Sequence, residues 1–218
     1  MFSFSIKKKG DARDKDVIET VLSQGDTFKA IIHCIGLLFD DSSGLRTFNR
    51  LVSGSGSIPE RESSYDDITR LTAFNAIEAA ETYMKELEST NLPFVFTSAA
   101  EAGWPDVRGG SFVESALSPR WLKRYLKAKR SVEARLKDSV ESGSGLRPIV
   151  FRPSLIYSLD RVTSLPPVGA FYLGNKIGLP FVDRPVSVQA LANASVRAIG
   201  DESVSGIQRY KEIDVLNL

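Results

Sequence analysis

Three short runs rich in apolar residues, FKAIIHCIGLL (28–38), PFVFTSAA (93–100) and RPIVFRPSLIYS (147–158), alternate along the chain with longer stretches of helical periodicity. A run of that length without polar alternation reads as a strand covered on both faces. Strands of this kind separated by helices are the signature of repeated βαβ units, and right-handed crossovers then give a parallel sheet with helices on both sides. The fold class that follows is α/β, with three layers and a doubly wound, mostly parallel sheet. In such sheets ligands sit at the carboxyl ends of the strands. Gly36, Ser98 and Pro153 occupy those ends and should line one crevice.

Between the strands, periodicity predicts helices over Lys15 to Gln24, Ser64 to Glu88, Pro119 to Val140 and Val188 to Ile199. The segment FSFSI (2–6) alternates like a strand, GDARD follows it as a turn, and a further strand is expected at Tyr210 to Val215. Residues 40–63 hold the low-complexity stretch SGSGS and few apolar anchors, which predicts a mobile loop. An apolar, Pro- and Gly-rich stretch, LPPVGAFYLGNKIGLPF, falls within an expected loop region at 158–185.

At 218 residues the chain is long enough for one substantial core, so a single domain over 1–218 is expected. Its 28 basic and 27 acidic residues nearly cancel, so no global field gathers nucleic acid or an anionic membrane. The lone Cys34 excludes an intrachain disulfide framework, and with one histidine, His33, there are too few soft ligands for a usual zinc site; no metal is expected. A Ser-His-Asp hydrolase would have to use His33, whose place within AIIHCIGLLF argues against it. That run is too short to span a bilayer, and MFSFSIKKKGDARDKD has neither a secretory apolar region nor the pattern of a mitochondrial presequence.

The sharpest chemical signal is YLKAK, which puts the Tyr125 phenol and the Lys129 ammonium four residues apart on one helix face. A neighbouring cation favours the phenolate, and a pair so tuned can exchange protons with a carbonyl or carbinol oxygen. The plain alternative is an amphipathic helix residue beside a solvated lysine. Ser98 likewise stands either as a substrate ligand or as a strand-end hydroxyl that satisfies local backbone.

YLKAKRSVE, TSAA at a strand end and FRPSLIYS together resemble the Tyr-x-x-x-Lys helix, the serine segment and the Arg-Pro-x-x-x-Tyr strand of the atypical or extended short-chain dehydrogenase/reductases, a Rossmann-like family. GDARD resembles the segment whose aspartate approaches the adenine, and HCIG the strand end that passes beneath the cofactor. Within the family, the combination is most similar to the mitochondrial NAD(P)-binding proteins of ubiquinone biosynthesis, near the nucleotide-binding accessory subunit of respiratory complex I.

The resemblance implies NADP or NAD as cofactor, held by Asp11, Ala12, Cys34, Ile35, Gly36, Lys129, Pro153 and Ser154. It implies Tyr125 as general acid/base, Lys129 lowering its pKa and bonding the ribose, and Ser98 holding the substrate oxygen. Glu133, one turn beyond Lys129, reads as a salt-bridge partner. The implied setting is the mitochondrial matrix at the inner membrane, with a quinone-like lipid substrate and the subunits of a biosynthetic complex as partners. The stretch Leu165 to Phe181 would cover that substrate or pack against a partner protein.

Three departures qualify the likeness. The family opens with a strand, a Gly-rich turn and a helix that seats the cofactor pyrophosphate, and here SGSGS is the only Gly-rich candidate and follows GDARD instead of preceding it. An N-terminally truncated domain with weak or absent dinucleotide binding is therefore expected. Thr69 stands where related enzymes often place an asparagine, and a long segment including WPDVRGG separates Ser98 from Tyr125.

Overall fold

The computed structural model describes residues 9–24, 27–52, 58–87, 91–158 and 165–218. The strand expected at 2–6 and the SGSGS segment lie outside them.

Helix α1 (Lys15–Leu22) starts where the Asp14 carboxylate accepts a hydrogen bond from the Asp16 amide, an N-cap of the expected kind. Strand β1 (Ile31–His33) follows, then short helical turns and α2 (Asn49–Val52). The Asn49 side chain fastens this region by accepting from the Phe39 amide at 3.1 Å and donating to the Phe39 carbonyl at 2.6 Å. A π-helical turn, Asp66–Leu71, leads into α3 (Thr72–Glu86). Strand β2 (Leu92–Thr97), a 3₁₀ segment (Ala100–Asp106) and α4 (Gly110–Phe112) precede the long α5 (Arg120–Glu141). That helix ends at Gly143, whose φ of 68° is the left-handed conformation glycine supplies at little cost. The remainder comprises β3 (Leu146–Phe151), β4 (Ile156–Tyr157), α6 (Leu165–Lys176), β5 (Val186–Ser187), α7 (Val188–Gly200), β6 (Gly206–Gln208) and α8 (Tyr210–Asn217).

The main sheet has the order β1-β2-β3-β6 and every pairing in it is parallel. Side chains of β2 and β3 alternate between two cores. Phe94, Phe96 and Val150 pack with Ile77 and Met84 of α3 and Val132 of α5, while Val95, Ile149 and Phe151 pack with Ala194, Ala198 and Ile213 of α7 and α8. Helices therefore cover both faces of a parallel sheet, the three-layer, doubly wound Rossmann-like arrangement.

Four expectations change. The first run is no fully buried strand. Only Ile31–His33 pairs, and Ile32 and Ile35 are 50% and 43% exposed. Ile32 is the register partner of Val95, so it points to the α7–α8 face, and those helices cover β2 and β3 but leave the edge open. Residues 147–158 divide at Pro153 into β3 and β4, and β4 pairs with β5 in a separate two-stranded sheet. Tyr210 to Val215 is helical, because Tyr210, Ile213 and Leu216 recur at helical spacing onto one core and Glu212 accepts from the Arg209 amide at 3.0 Å. The strand lies just before it, at Gly206–Gln208. Within the expected loop region at 158–185, α6 forms, and Asn175 near its end donates to the Val182 carbonyl at 2.9 Å.

Candidate active site

Asp11, Ala12, Ile35 and Gly36 line one cavity of about 670 Å³, closed on its inner side by Ile68 and Thr72. The loop that carries the first two is placed by Asn75 of α3, which donates to the carbonyls of Ala12 (3.2 Å) and Arg13 (2.8 Å). A Cβ at Gly10 would fall 2.4 Å from Val17 Cγ1, so only glycine lets the loop lie this close to α1. The Asp11 carboxylate accepts from the Arg13 amide and guanidinium, which hold it below the ordinary aspartate range, so it stays charged. Cys34 does not line this cavity; its thiol stands near Thr97 and Lys129.

The next part of the site lies over Gly36. A Cβ there would sit 3.6 Å from Lys129 Nζ and 3.7 Å from Thr69 Oγ1, so the bare glycine leaves a space that both groups reach. The Thr69 hydroxyl is buried and makes no hydrogen bond among the described residues. His33 faces inward beside them. Thr72 gives its hydroxyl proton to the Ile68 carbonyl (2.7 Å), so the 3.0 Å contact with His33 Nε2 requires the imidazole to donate. Nδ1 is then the bare nitrogen, and it has no partner among the described residues. Burial and the Lys129 charge bring this histidine down to about 4, leaving it neutral at physiological pH and unsuited to hydrolase work.

Lys129 is buried on α5 and donates from Nζ to the Thr97 carbonyl at 2.7 Å. Its ammonium sits 4.9 Å from the Phe96 ring centre and 5.6 Å from that of Tyr125. Burial brings it down to about 8, partly opposed by the Glu133 charge. Tyr125 stacks edge to face with Tyr65 at 5.7 Å and packs on Ala99, Ala102 and Leu126. Burial, Glu101 and Tyr65 push its phenol up, the reverse of the lowering expected from Lys129. The lysine is committed to the Thr97 carbonyl and faces the tyrosine ring, so desolvation outweighs its charge.

Ser98 and Pro153 meet because the β2–β3 ladder runs past the strand ends. The Ser98 amide donates to the Phe151 carbonyl (2.7 Å) and the Ala100 amide to that of Pro153 (2.9 Å). The Ser98 hydroxyl is buried and bonds nothing among the described residues, so it does not serve as a local backbone cap. Ser154 follows Pro153, with its hydroxyl near Glu101 but without a hydrogen bond of good geometry.

Three features escape the sequence reading: the cation that pairs with Glu133, the Asp183 bridge and Glu101. Glu133, expected as a salt-bridge partner, pairs with Arg152 of the β3 end, Nε to Oε1 at 2.9 Å, in a bridge whose side chains are 10% and 11% exposed. Gly103 makes room for it, since a Cβ there would lie 2.7 Å from Arg152 Nη1. Asp183 is buried and bound by Arg209 Nε at 3.0 Å. Glu101 has no cationic partner among the described residues, and burial, with the Asp183 charge, pushes it up to about 7. The one sequence signal for it is an acid in the otherwise apolar segment TSAAEAG directly after a buried strand. Among the described residues no His, Cys, Asp and Glu cluster could hold a metal, and no helix is long and apolar enough to cross a membrane.

No protein-family model matches the sequence, and no curated protein does. Solved structures do match in fold. A UDP-glucose 4-epimerase of Thermus thermophilus in complex with NAD is similar over 94% of this chain and 66% of its own, with TM-score 0.55 and 18% identity. A Burkholderia thailandensis oxidoreductase of the short-chain dehydrogenase/reductase family is similar over 92% of this chain and 69% of its own, with TM-score 0.58 and 14% identity. RMD from Pseudomonas aeruginosa, complexed with NADPH, is similar over 94% of this chain and 68% of its own, with TM-score 0.56 and 15% identity. The chain spans about two thirds of the length of these structures and shares their fold.

Proposed function

We propose that this chain is a NAD(P)-binding protein of the short-chain dehydrogenase/reductase kind that acts in mitochondrial ubiquinone biosynthesis, on an aromatic or quinone-like intermediate. The observation that carries the reading is buried Lys129 at the carboxyl end of β2, bonded to the Thr97 carbonyl beside the Tyr125 ring and reaching over Gly36, with the Ser98 hydroxyl, unpartnered among the described residues, next in sequence to Thr97. The neighbours solved with NAD or NADPH support the choice of cofactor. The quinone-like lipid substrate, the matrix setting at the inner membrane and the biosynthetic-complex partners rest on the sequence resemblance of GDARD, HCIGLL, TSAA and YLKAKRSVE.

The residues fit a dinucleotide in its outer and reacting portions. Asp11 offers a charged acceptor to an adenine amino group, Gly36 offers bare backbone, and Lys129 and Thr69 offer polar atoms to ribose hydroxyls. Among the described residues no Gly-rich strand–turn–helix seats a pyrophosphate, so the affinity is low. Bound there, a nicotinamide dinucleotide supplies or takes up a hydride. Ser98 Oγ orients the substrate oxygen, the Tyr125 phenol exchanges its proton, and Lys129 holds the charge that steadies both. A second reading, a scaffold or regulatory subunit of a mitochondrial complex, is favoured by one observation: the phenol titrates further from neutrality than a free tyrosine.

Calorimetric titration of NADPH and NADH into the wild type, Tyr125→Phe and Lys129→Met separates the two. Weak saturable binding, with a dissociation constant above about 10 μM, kept in Tyr125→Phe and lost in Lys129→Met, is the expected result. NADPH-dependent reduction of a short-chain quinone by the wild type alone then completes the case. A folded, monodisperse protein that binds neither nucleotide is the scaffold.

A further inference from the structure

Tyr65 touches the candidate acid/base and has no part in the chemistry assigned so far. It is 3% exposed and stands immediately before the π-helical turn. Its ring meets that of Tyr125 edge to face, with 5.7 Å between centres and 67° between planes. Its hydroxyl donates to the Leu38 carbonyl at 2.8 Å, and the Arg124 guanidinium lies 6.0 Å from its ring centre. The frame around this pair is fixed at several points. Trp121, Arg124, Tyr125 and Ala128 share one face of α5, and the segment after Gly36 grips that face. The Phe39 ring packs edge to face on Trp121 at 4.9 Å, and buried Asp40 accepts from Arg124 Nη2 at 3.0 Å while the same nitrogen donates to Ser42 Oγ at 2.6 Å. Leu37, Tyr65 and Ala128 form one buried cluster, and the Tyr125 ring packs against it.

A tyrosine on a helix has two open χ1 wells, at about 180° and about −60°, and moving between them carries its hydroxyl to a different place. Contact with Ala99, Ala102 and Leu126 limits the Tyr125 ring without directing it, whereas an edge-to-face pair has a preferred angle. We propose that Tyr65 is a positioning residue for Tyr125: its ring, seated on the Leu38 carbonyl, selects the rotamer in which the phenol meets the substrate oxygen, a role that rests on the oxidoreductase reading. Tyr65 itself transfers nothing. Its proton is given to Leu38, and burial pushes its phenol up to about 12. Leu38 lies two residues beyond Gly36, so one segment sets both the floor of the cavity and the place where the Tyr125 hydroxyl waits.

Tyr65→Leu removes the ring, and Tyr65→Phe keeps it without the Leu38 bond. Three-bond couplings from Tyr125 Cγ to its backbone nitrogen and carbonyl carbon, in protein labelled at tyrosine and assigned with Tyr125→Phe, read χ1 directly. One rotamer is expected in the wild type and Tyr65→Phe, and an average of two in Tyr65→Leu. In NADPH-dependent reduction of a short-chain quinone, Tyr65→Leu should lower kcat about 10- to 100-fold with KM and nucleotide affinity unchanged, and Tyr65→Phe should recover most of the loss. Tyr65→Met, also without a ring, carries the same expectations if the leucine variant does not fold. The same single rotamer in the ringless variant and the wild type overturns the proposal, as does a loss that falls on KM alone. NADPH titration of the wild type reports on the oxidoreductase reading separately. A wild type that binds no nucleotide overturns that reading and the role in proton transfer with it, whereas turnover that Tyr65→Leu leaves intact overturns the positioning role alone.

Discussion

At the Gly10–Arg13 loop the charges are exposed and paired with neighbours in sequence, whereas beyond the carboxyl ends of β3 and β6 buried carboxylates pair with arginines from other elements. Asp11 and Arg13 share one bridge with side chains 51% and 47% exposed. Arg152 and Glu133, or Asp183 and Arg209, each join separate segments across the fold. Water screens the first kind, so those groups keep ordinary charge states, contribute little to stability and remain free to meet a ligand. The second kind holds carboxylates that have lost water, so each depends on its partner to stay compensated. The two regions thus differ in what a lost partner costs: little at the loop, much at the strand ends.

Arg152→Ala tests this contrast most severely. It strands Glu133 in a buried position and should destabilise the protein by about 3–5 kcal/mol in urea unfolding. A loss below about 1 kcal/mol would place the buried bridge on the same footing as the loop bridge. The next effect in size comes from His33, whose folded-state value of about 4 lies below its ordinary 6.5. Between those values the unfolded chain binds the extra proton, so stability falls as pH drops from 6.5 toward 4, by up to roughly 3 kcal/mol. His33→Gln should remove that part of the slope, and an unchanged profile would show that the imidazole is not desolvated. Smallest is Asp11→Asn, for which thermal melting should show no change while NADPH affinity falls several-fold. A clear drop in melting temperature would mean that the loop charge is structural.

The strands β2 and β3 are legible in the sequence because both their faces are covered, and unbroken apolar composition is the mark of that state. The run that holds β1 carries the same composition, yet its burial depends on neighbours that composition does not encode. Helix α8 is obscured because Tyr210 to Val215 is short enough to suit either period, and the Glu212 cap decides it. In the site, the spacing of Tyr125 and Lys129 predicts their shared helix face correctly. The electrical sense of the pair is not legible, since it depends on Thr97 taking the ammonium and on Glu101 and Tyr65 crowding the phenol. Glu101 itself gains its meaning from Asp183 and Ser154, both remote in the chain.

The ladder that continues past β2 has a consequence in amide hydrogen exchange. The Ser98 and Ala100 amides are locked to Phe151 and Pro153 at the centre of the sheet, so their protons should be released only when the whole molecule opens. Cys34 to Gly36 lies past the end of the edge strand and should exchange through local fraying. Slow and fast exchange thus stand side by side here, and a nucleotide that bridges Gly36 to Ser98 would announce itself by slowing the fast side alone.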